Sequence, residues 1–196
     1  MDSNKKVAVV TGAAAGIGRA LVDALLSSDF KVVAVDANNE ALLNSWSQNP
    51  QVQPVCGDVT DPNAMQALAA DIWKTYQRVD ALFCNAGVMP PLEPFLETPV
   101  ATARWVFEVN VFGVWQTIQA FGRALAVQKT PSMLVITGSE HSVSVPMPLG
   151  AAYTASKHAL LGLTDVIRME MPEHVSVSLL CPGMVNTALG NSIERR

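Results

Sequence analysis

The 196-residue sequence has no run of lysine or arginine, and no stretch approaching the roughly 18 uninterrupted apolar residues of a membrane-spanning helix. With a formal charge of -4 at pH 7 and a pI near 5.3, it lacks the electrostatic footprint of a polyanion binder, so nucleic acid is not expected as a partner. No membrane association is expected either. The polar start, Met1 to Lys6, runs directly into a short apolar segment and lacks the long hydrophobic region of a signal peptide. The three cysteines, Cys56, Cys84 and Cys181, are far apart and have no metal-ligand spacing. That pattern speaks against a disulfide framework and for a reducing compartment, with the cytoplasm as the default and no metal site. Internal repeats, low-complexity tracts and linkers are also missing.

What is present is enough apolar material, 49% of residues, for one substantial core. A single domain over residues 1–196 is expected. Short β-branched runs recur at Val7 to Thr11, Lys31 to Asp36, Val52 to Gly57, Ala81 to Cys84, Met133 to Thr137 and Val175 to Cys181. Most lack polar alternation, as strands covered on both faces do. Helical segments separate them, at Ile17 to Ser28, Asn39 to Ser47, Pro62 to Tyr76, Pro99 to Gln128 and Tyr153 to Met171. Asp61 and Thr98 are expected to cap the third and fourth, each before a proline at the first helical position. Strand and helix alternating in this way predict an α/β fold, a doubly wound parallel sheet of the Rossmann type with right-handed crossovers.

The strongest local signal is Thr11-Gly12-Ala13-Ala14-Ala15-Gly16-Ile17-Gly18, which follows the first strand and opens the first helix. Glycines there allow a tight turn, close approach of a pyrophosphate to backbone amides, and close packing of helix on strand. The run lacks the Gly-Lys-Ser/Thr ending of a mononucleotide P-loop. Asp36, at the end of the second strand, is placed to accept hydrogen bonds from the adenosine ribose hydroxyls and to repel a 2′-phosphate, which favours NAD over NADP. The alternative is an Asp that opens the turn after it or caps the next helix. Asp58, followed by Val59, ends the third strand on the same edge, suited to accept from an adenine amino group, although a lone Asp there is more often a turn former.

Tyr153 and Lys157 lie four positions apart at the start of a helix and so rise on one face. An ammonium beside a phenol favours the phenolate and is expected to lower its pKa from about 10, which would make Tyr153 a usable general acid/base.

Set in order, the glycine-rich turn, Asn85-Ala86-Gly87, Asn110, Ser139, Tyr153 with Lys157, and Pro182-Gly183 give the chain a clear resemblance to the short-chain dehydrogenase/reductase family, of the compact single-domain type. The resemblance covers essentially the whole chain. It implies dinucleotide contacts at Gly12, Gly16, Ile17, Gly18, Asp58, Val59, Asn85, Ala86, Gly87, Tyr153 and Lys157, and at Pro182, Gly183, Val185 and Thr187 near the nicotinamide carboxamide. It also implies a catalytic set of Asn110, Ser139, Tyr153 and Lys157. Tyr153 would exchange the proton as hydride moves between NAD and a secondary alcohol or carbonyl, and Ser139 would hydrogen-bond the substrate oxygen. Lys157 would bind the nicotinamide ribose, and Asn110 would hold a water that links Lys157 to solvent.

Some features depart from the family pattern. Cys84 stands where a second Asn is frequent, and Glu140-His141 follow the serine where small residues are usual. Ser142 competes with Ser139 for the serine role, and His141 is left outside the catalytic set. The apolar segments Val88 to Leu92 and Val143 to Leu149 would overlook the nicotinamide, suiting a hydrophobic or aromatic substrate, or would simply pack as core. The long helix carries Trp105, Phe107, Phe112, Trp115, Ile118 and Phe121, more bulk than one buried stripe requires. Core packing accounts for most of it, and the rest points to a homodimer or homotetramer interface. The sequence runs nine residues past Thr187, whereas the family's pattern continues with a substrate-covering helix and often a seventh strand; if this is the whole polypeptide, lid and seventh strand are expected to be missing. Two other functions compete with turnover. A non-catalytic NAD-binding sensor or scaffold stays open, whereas a serine hydrolase built on Ser139 and His141 fails for want of a Gly-x-Ser-x-Gly elbow.

Overall fold

A computed structural model of the chain describes residues 5–144, 147–187 and 189. The β-branched runs form six strands, β1 (Val7–Thr11), β2 (Lys31–Asp36), β3 (Val52–Cys56), β4 (Ala81–Cys84), β5 (Ser132–Thr137) and β6 (Val175–Leu180). They pair in parallel in the order β3-β2-β1-β4-β5-β6, in register Val9 with Val33 on one side and Val9 with Leu82 on the other. β1 is buried along its whole length, which explains why it shows no polar alternation.

Among the described residues six α-helices flank the sheet: α1 (Gly16–Ser27), α2 (Asn39–Trp46), α3 (Pro62–Tyr76), α4 (Val100–Phe107), α5 (Gly113–Val127) and α6 (Ala151–Glu170). One core cluster joins Val9, Val33, Leu82 and Leu134 of the sheet to Met65 and Ile72 of α3, Ile118, Phe121 and Leu125 of α5, and Leu160 of α6. On the opposite face Ala8, Val10, Val32 and Ala34 meet Val22 and Leu25 of α1 and Leu42 and Trp46 of α2. Full burial of each such Leu or Phe contributes about 1.5–3 kcal/mol. The sheet is therefore covered on both sides. From β1 the strand order runs out through β2 and β3, and α3 then brings the chain back to the other side of β1, where β4, β5 and β6 run out in the opposite direction. The connections on the two sides thus depart from β1 and β4. Between these departures, at the carboxyl ends of β1 and β4, a crevice must open.

The caps explain why the helices begin where they do. Asp61 accepts from the backbone N–H groups of Asn63 and Ala64 at 2.9 and 3.1 Å, with Pro62 in the first turn, as the sequence predicts. Thr98 does not cap the next helix. Its hydroxyl donates to the Pro94 carbonyl at 3.0 Å, and Pro99 itself occupies the cap position without a side-chain hydrogen bond. The single helix expected over residues 99–128 is interrupted by a π-helical turn, Glu108–Phe112, in which the Gly113 N–H reaches back five residues to the Glu108 carbonyl. Apolar periodicity does not register one wide turn, because helix continues on both sides of it. Just after the turn Gly113 packs against β3's exit, where an added Cβ would come within 2.5 Å of Val59 Cγ2. Among the described residues no helix is long and apolar enough to cross a membrane, and no cluster of three or more His, Cys, Asp or Glu could hold a metal.

Candidate active site

The crevice at the strand ends is held open by a small set of hydrogen bonds. Thr11, last residue of β1, accepts from the Asn85 and Ala86 N–H groups at 3.0 and 3.1 Å and donates to the Phe83 carbonyl at 3.3 Å. Asn85 returns the contact: its amide nitrogen donates to the carbonyls of Thr11 and Gly12 at 3.1 and 3.3 Å, and its oxygen accepts from Thr137 Oγ1 at 3.2 Å. The carboxyl ends of β1, β4 and β5 are thus tied through one side chain. Gly12 and Gly16 adopt φ of +66° and +53°, the left-handed region where a side chain is strained. At Gly12 a Cβ would also lie 2.8 Å from Ala86 Cα, so the turn and the Asn-Ala-Gly segment can meet only because position 12 has no side chain. Trp46 of α2 donates its indole N–H to the Ala13 carbonyl at 3.1 Å and fixes the turn from behind.

α1 starts at Gly16 with no side-chain cap, so its first-turn N–H groups face the crevice without partners from the cap residue. Asp36 borders the same opening. Its carboxylate accepts from the Ala14 N–H at 3.0 Å and the Asn38 N–H at 2.8 Å. Both readings of Asp36 therefore have a physical basis, since it closes the turn after β2 and each oxygen keeps a lone pair toward the opening. Asp58 is exposed and gives one oxygen to the backbone and hydroxyl of Thr60 at 2.9 and 2.8 Å.

At the other end Ser139 follows β5 and caps a 3-10 turn, Glu140–Ser142. Ser142 is fully buried and its hydroxyl accepts from the Ser139 N–H at 3.1 Å, so it shapes the turn, while Ser139 is the serine facing Tyr153. Tyr153 and Lys157 rise together from the first turns of α6 and are both buried. The Lys157 ammonium donates to the Thr137 carbonyl at 2.8 Å and lies 5.7 Å from the Tyr153 ring centre. The expected lowering of the Tyr153 pKa is not found. Burial pushes the phenol up, and the hydrogen bond from Ser139 opposes this only in part. Lys157 carries the larger consequence of burial, its pKa being lowered to about 8. With its ammonium held by the Thr137 carbonyl, Lys157 is not among the groups that set the Tyr153 shift.

Asn110 stands in the π-helical turn, completely buried. Its amide is used on both sides: it accepts from the Val88 N–H at 2.7 Å and donates to the Val88 carbonyl at 2.9 Å and Ser156 Oγ at 3.1 Å. Ser156 in turn donates to the Tyr153 carbonyl at 2.7 Å. The Asn110 side chain therefore clasps Val88, just after the Asn-Ala-Gly segment, to α6, with both amide N–H groups used and its oxygen accepting one bond. Ser156 was missed by sequence reading, although its place three residues after Tyr153 puts it on the same face of α6. His141, excluded from the catalytic set, presents its ring edge-on to Tyr153, with centres 6.1 Å apart.

Gly12, Gly16, Ile17, Asp36, Asn85, Gly87, Ser139, Tyr153, Lys157, Pro182, Gly183, Val185 and Thr187 line one cleft of about 690 Å³. Gly18, Asp58, Val59, Ala86 and Asn110 do not. Gly18 packs α1 onto the Gly12 carbonyl, and Val59 lies in the core against Gly113. Ala15, Ala37, Asn38, Thr137, Gly138 and Leu189 also line the cleft and were not among the expected site residues. Of the two apolar segments expected above the cleft, Val88 contributes to the wall, and the Glu93 N–H to Leu149 carbonyl hydrogen bond at 3.0 Å ties the two segments together. Residues 145–146 of the second segment, and 188 and 190–196 of the C-terminal stretch on which the lid expectation rests, lie outside the described residues.

The cleft fits an extended dinucleotide. Unpartnered helix N–H groups and a glycine turn stand near the middle, a carboxylate with free lone pairs at one end, and a buried Ser-Tyr-Lys group at the other. A Cβ at Gly87 would lie 3.6 Å from Lys157 Nζ and close the approach to that group.

Residues 6–196 match the short chain dehydrogenase family. The chain is 36% identical to 1-deoxy-11-beta-hydroxypentalenate dehydrogenase of Streptomyces arenae, over 96% of this chain and 70% of that protein. It is 35% identical to carbonyl reductase [NADPH] 2 of Sus scrofa, over 95% of this chain and 74% of that one. Among solved structures, a short chain dehydrogenase/reductase from Burkholderia phymatum in complex with NAD superposes with a TM-score of 0.92 at 32% identity, covering 100% of this chain and 72% of that one.

The depressed Lys157 pKa sets a stability test. Between about pH 8 and its ordinary 10.5 the unfolded lysine holds a proton that the folded one has released, so stability attributable to Lys157 rises with pH across that window. Urea unfolding of wild type and Lys157→Met should show the difference, wild type minus variant, increasing from pH 8 to pH 10.5. A difference that stays flat or falls would mean that the ammonium is not desolvated.

Proposed function

The chain belongs to the short-chain dehydrogenase family of oxidoreductases, and on that premise we propose that residues 1–196 act as a single domain that interconverts a secondary alcohol and a ketone with NAD, Tyr153 being the general acid/base. The observation that carries this reading is the convergence of Ser139, Tyr153 and Lys157 in one cleft that Gly12, Gly16 and Asp36 also line. The bound dinucleotide supplies the hydride acceptor or donor.

The protein's own residues manage the proton and the substrate oxygen. Ser139 and the Tyr153 phenol face each other, so one substrate oxygen can sit between a fixed donor and the proton-exchanging group. Tyr153 is neutral in the free protein because burial raises its pKa, which equips it to donate in the reducing direction. In the oxidising direction it must first lose its proton; the Ser139 hydrogen bond favours that loss, and the positive charge of a bound oxidised dinucleotide would lower its cost further. Asn110, in the widened turn beside Val88 and Ser156, would hold a water that links Lys157 to solvent. Val88 and the apolar segment tied to it through Glu93 and Leu149 suit a hydrophobic or aromatic substrate body.

NAD is preferred to NADP because the Asp36 carboxylate, fixed by two backbone N–H groups, would face a 2′-phosphate. The protein acts as a homodimer or homotetramer through α5 and the π-helical turn before it, where Trp115 and Phe112 remain 47% and 48% exposed. Three free cysteines fit a reducing, cytoplasmic setting. A sensor that binds NAD without turnover would not need the buried Ser139-Tyr153-Lys157 group.

Tyr153→Phe should keep NAD⁺ affinity and lose about 10²–10⁴-fold in turnover, measured by NADH absorbance with secondary alcohols; wild-type rates would remove the acid/base role. Asp36→Asn, which retains an acceptor for the turn but not the charge, should narrow the NAD⁺ to NADP⁺ ratio of kcat/KM by about tenfold or more, and an unchanged ratio would contradict the ribose contact. Trp115→Glu should lower the mass seen in light scattering; the same mass in both proteins would place the interface elsewhere.

A further inference from the structure

His141 has no part in the chemistry above, yet it touches both groups that handle the substrate oxygen. Its backbone N–H donates to Ser139 Oγ at 3.3 Å, which leaves the serine's own proton for the Tyr153 phenol. Its ring meets the Tyr153 ring edge-on, with centres 6.1 Å apart and planes at 80°, an arrangement in which aromatic pairs attract. The turn that delivers the ring is pinned at every residue but His141 itself. The Glu140 N–H donates to the Pro182 carbonyl at 2.9 Å, the Ser142 N–H donates to the Ser139 carbonyl at 2.8 Å, and the buried Ser142 hydroxyl accepts from the Ser139 N–H at 3.1 Å. On the α6 side the Lys157 ammonium lies 5.7 Å from the phenol ring centre and is committed to Thr137. Tyr153 lines an open cleft and still leaves only 7% of its surface accessible, whereas His141 is partly exposed. A small residue at position 141 would not reach the phenol ring.

We infer that His141 is a positioning residue of this site: its ring, carried on a rigid turn, holds the Tyr153 phenol in line with Ser139 and shields it from water. It acts through Tyr153 and does not touch the substrate. The inference rests on the oxidoreductase reading of the same cleft. A phenol that cannot swing keeps its oxygen beside the serine, which favours turnover without altering dinucleotide binding. A phenol kept dry holds its proton more tightly, the direction in which burial moves Tyr153.

The protein has two tyrosines, Tyr76 and Tyr153, so tyrosinate absorbance in an alkaline titration reads Tyr153 once the same protein carrying Tyr153→Phe is subtracted. Wild type, His141→Ala and His141→Phe are compared in this way, with circular dichroism and NADH affinity as checks on folding. The Tyr153 midpoint should fall by about half a pH unit or more in His141→Ala, where water reaches the phenol, and stay near wild type in His141→Phe. The same proteins are then assayed for reduction of cyclohexanone and acetophenone by NADH at neutral pH, where the phenol is protonated in each. There kcat should fall about two- to tenfold in His141→Ala, the size of one edge-on aromatic contact, with NADH affinity unchanged, and His141→Phe should restore it. A midpoint that stays in place in His141→Ala, or moves equally in both variants, overturns the shielding. Wild-type kcat in His141→Ala, or a loss that His141→Phe does not restore, overturns the positioning. No reduction of either ketone by wild type counts against the reaction class, and the positioning role falls with it; the titration, which needs no dinucleotide, tells the two failures apart.

Discussion

The structure depends on the clasp between Thr11 and Asn85. A parallel sheet that winds outward in both directions from β1 has to part at the carboxyl ends of β1 and β4, and backbone groups at the parting lose their ladder partners. Thr11 and Asn85 satisfy them with four hydrogen bonds across the gap, and the Asn85 oxygen extends the tie to Thr137 on β5. Because Thr137 also supplies the carbonyl that holds Lys157, the tie reaches from the glycine turn to the reactive group through three side chains. The two ends of the cleft are thereby held at a fixed separation by bonds internal to the fold.

The same economy explains Asn110. A π-helical turn puts the residue at full burial, where its amide would be expensive if unpaired, and both its nitrogen and its oxygen find partners in Val88 and Ser156. The segment after β4 is fastened to α6 at the level of Tyr153. Relaxation at this point would move the phenol relative to Gly87 and the cleft, so Asn110 acts on the site by positioning.

Much of this was legible in the sequence. Buried strands announced themselves by β-branched runs without alternation, and the glycine turn by its place after the first of them. The ordered set from Gly12 to Thr187 fixed which ends of the strands would meet. Three things were hidden. Thr98 reads as a cap because Thr before Pro is a common start, but its hydroxyl finds the Pro94 carbonyl first. The π-helical turn leaves no trace in a periodicity that resumes after it. The charge state of Tyr153 depends on burial and on where Lys157 points, and a four-residue spacing reports neither. Glu140 and His141 showed as departures from the family pattern, but their relation to Gly183 and Tyr153 appears only in three dimensions.

The central claim is that hydride and proton leave a substrate alcohol in this cleft. Its most direct test is to incubate the protein with NAD⁺ and secondary alcohols deuterated at the carbinol carbon, and to analyse the recovered nucleotide by mass spectrometry. Deuterium in the reduced nicotinamide, at one per turnover, is the expected result. Bound NAD⁺ that gains no deuterium from any alcohol of a broad panel would contradict the account.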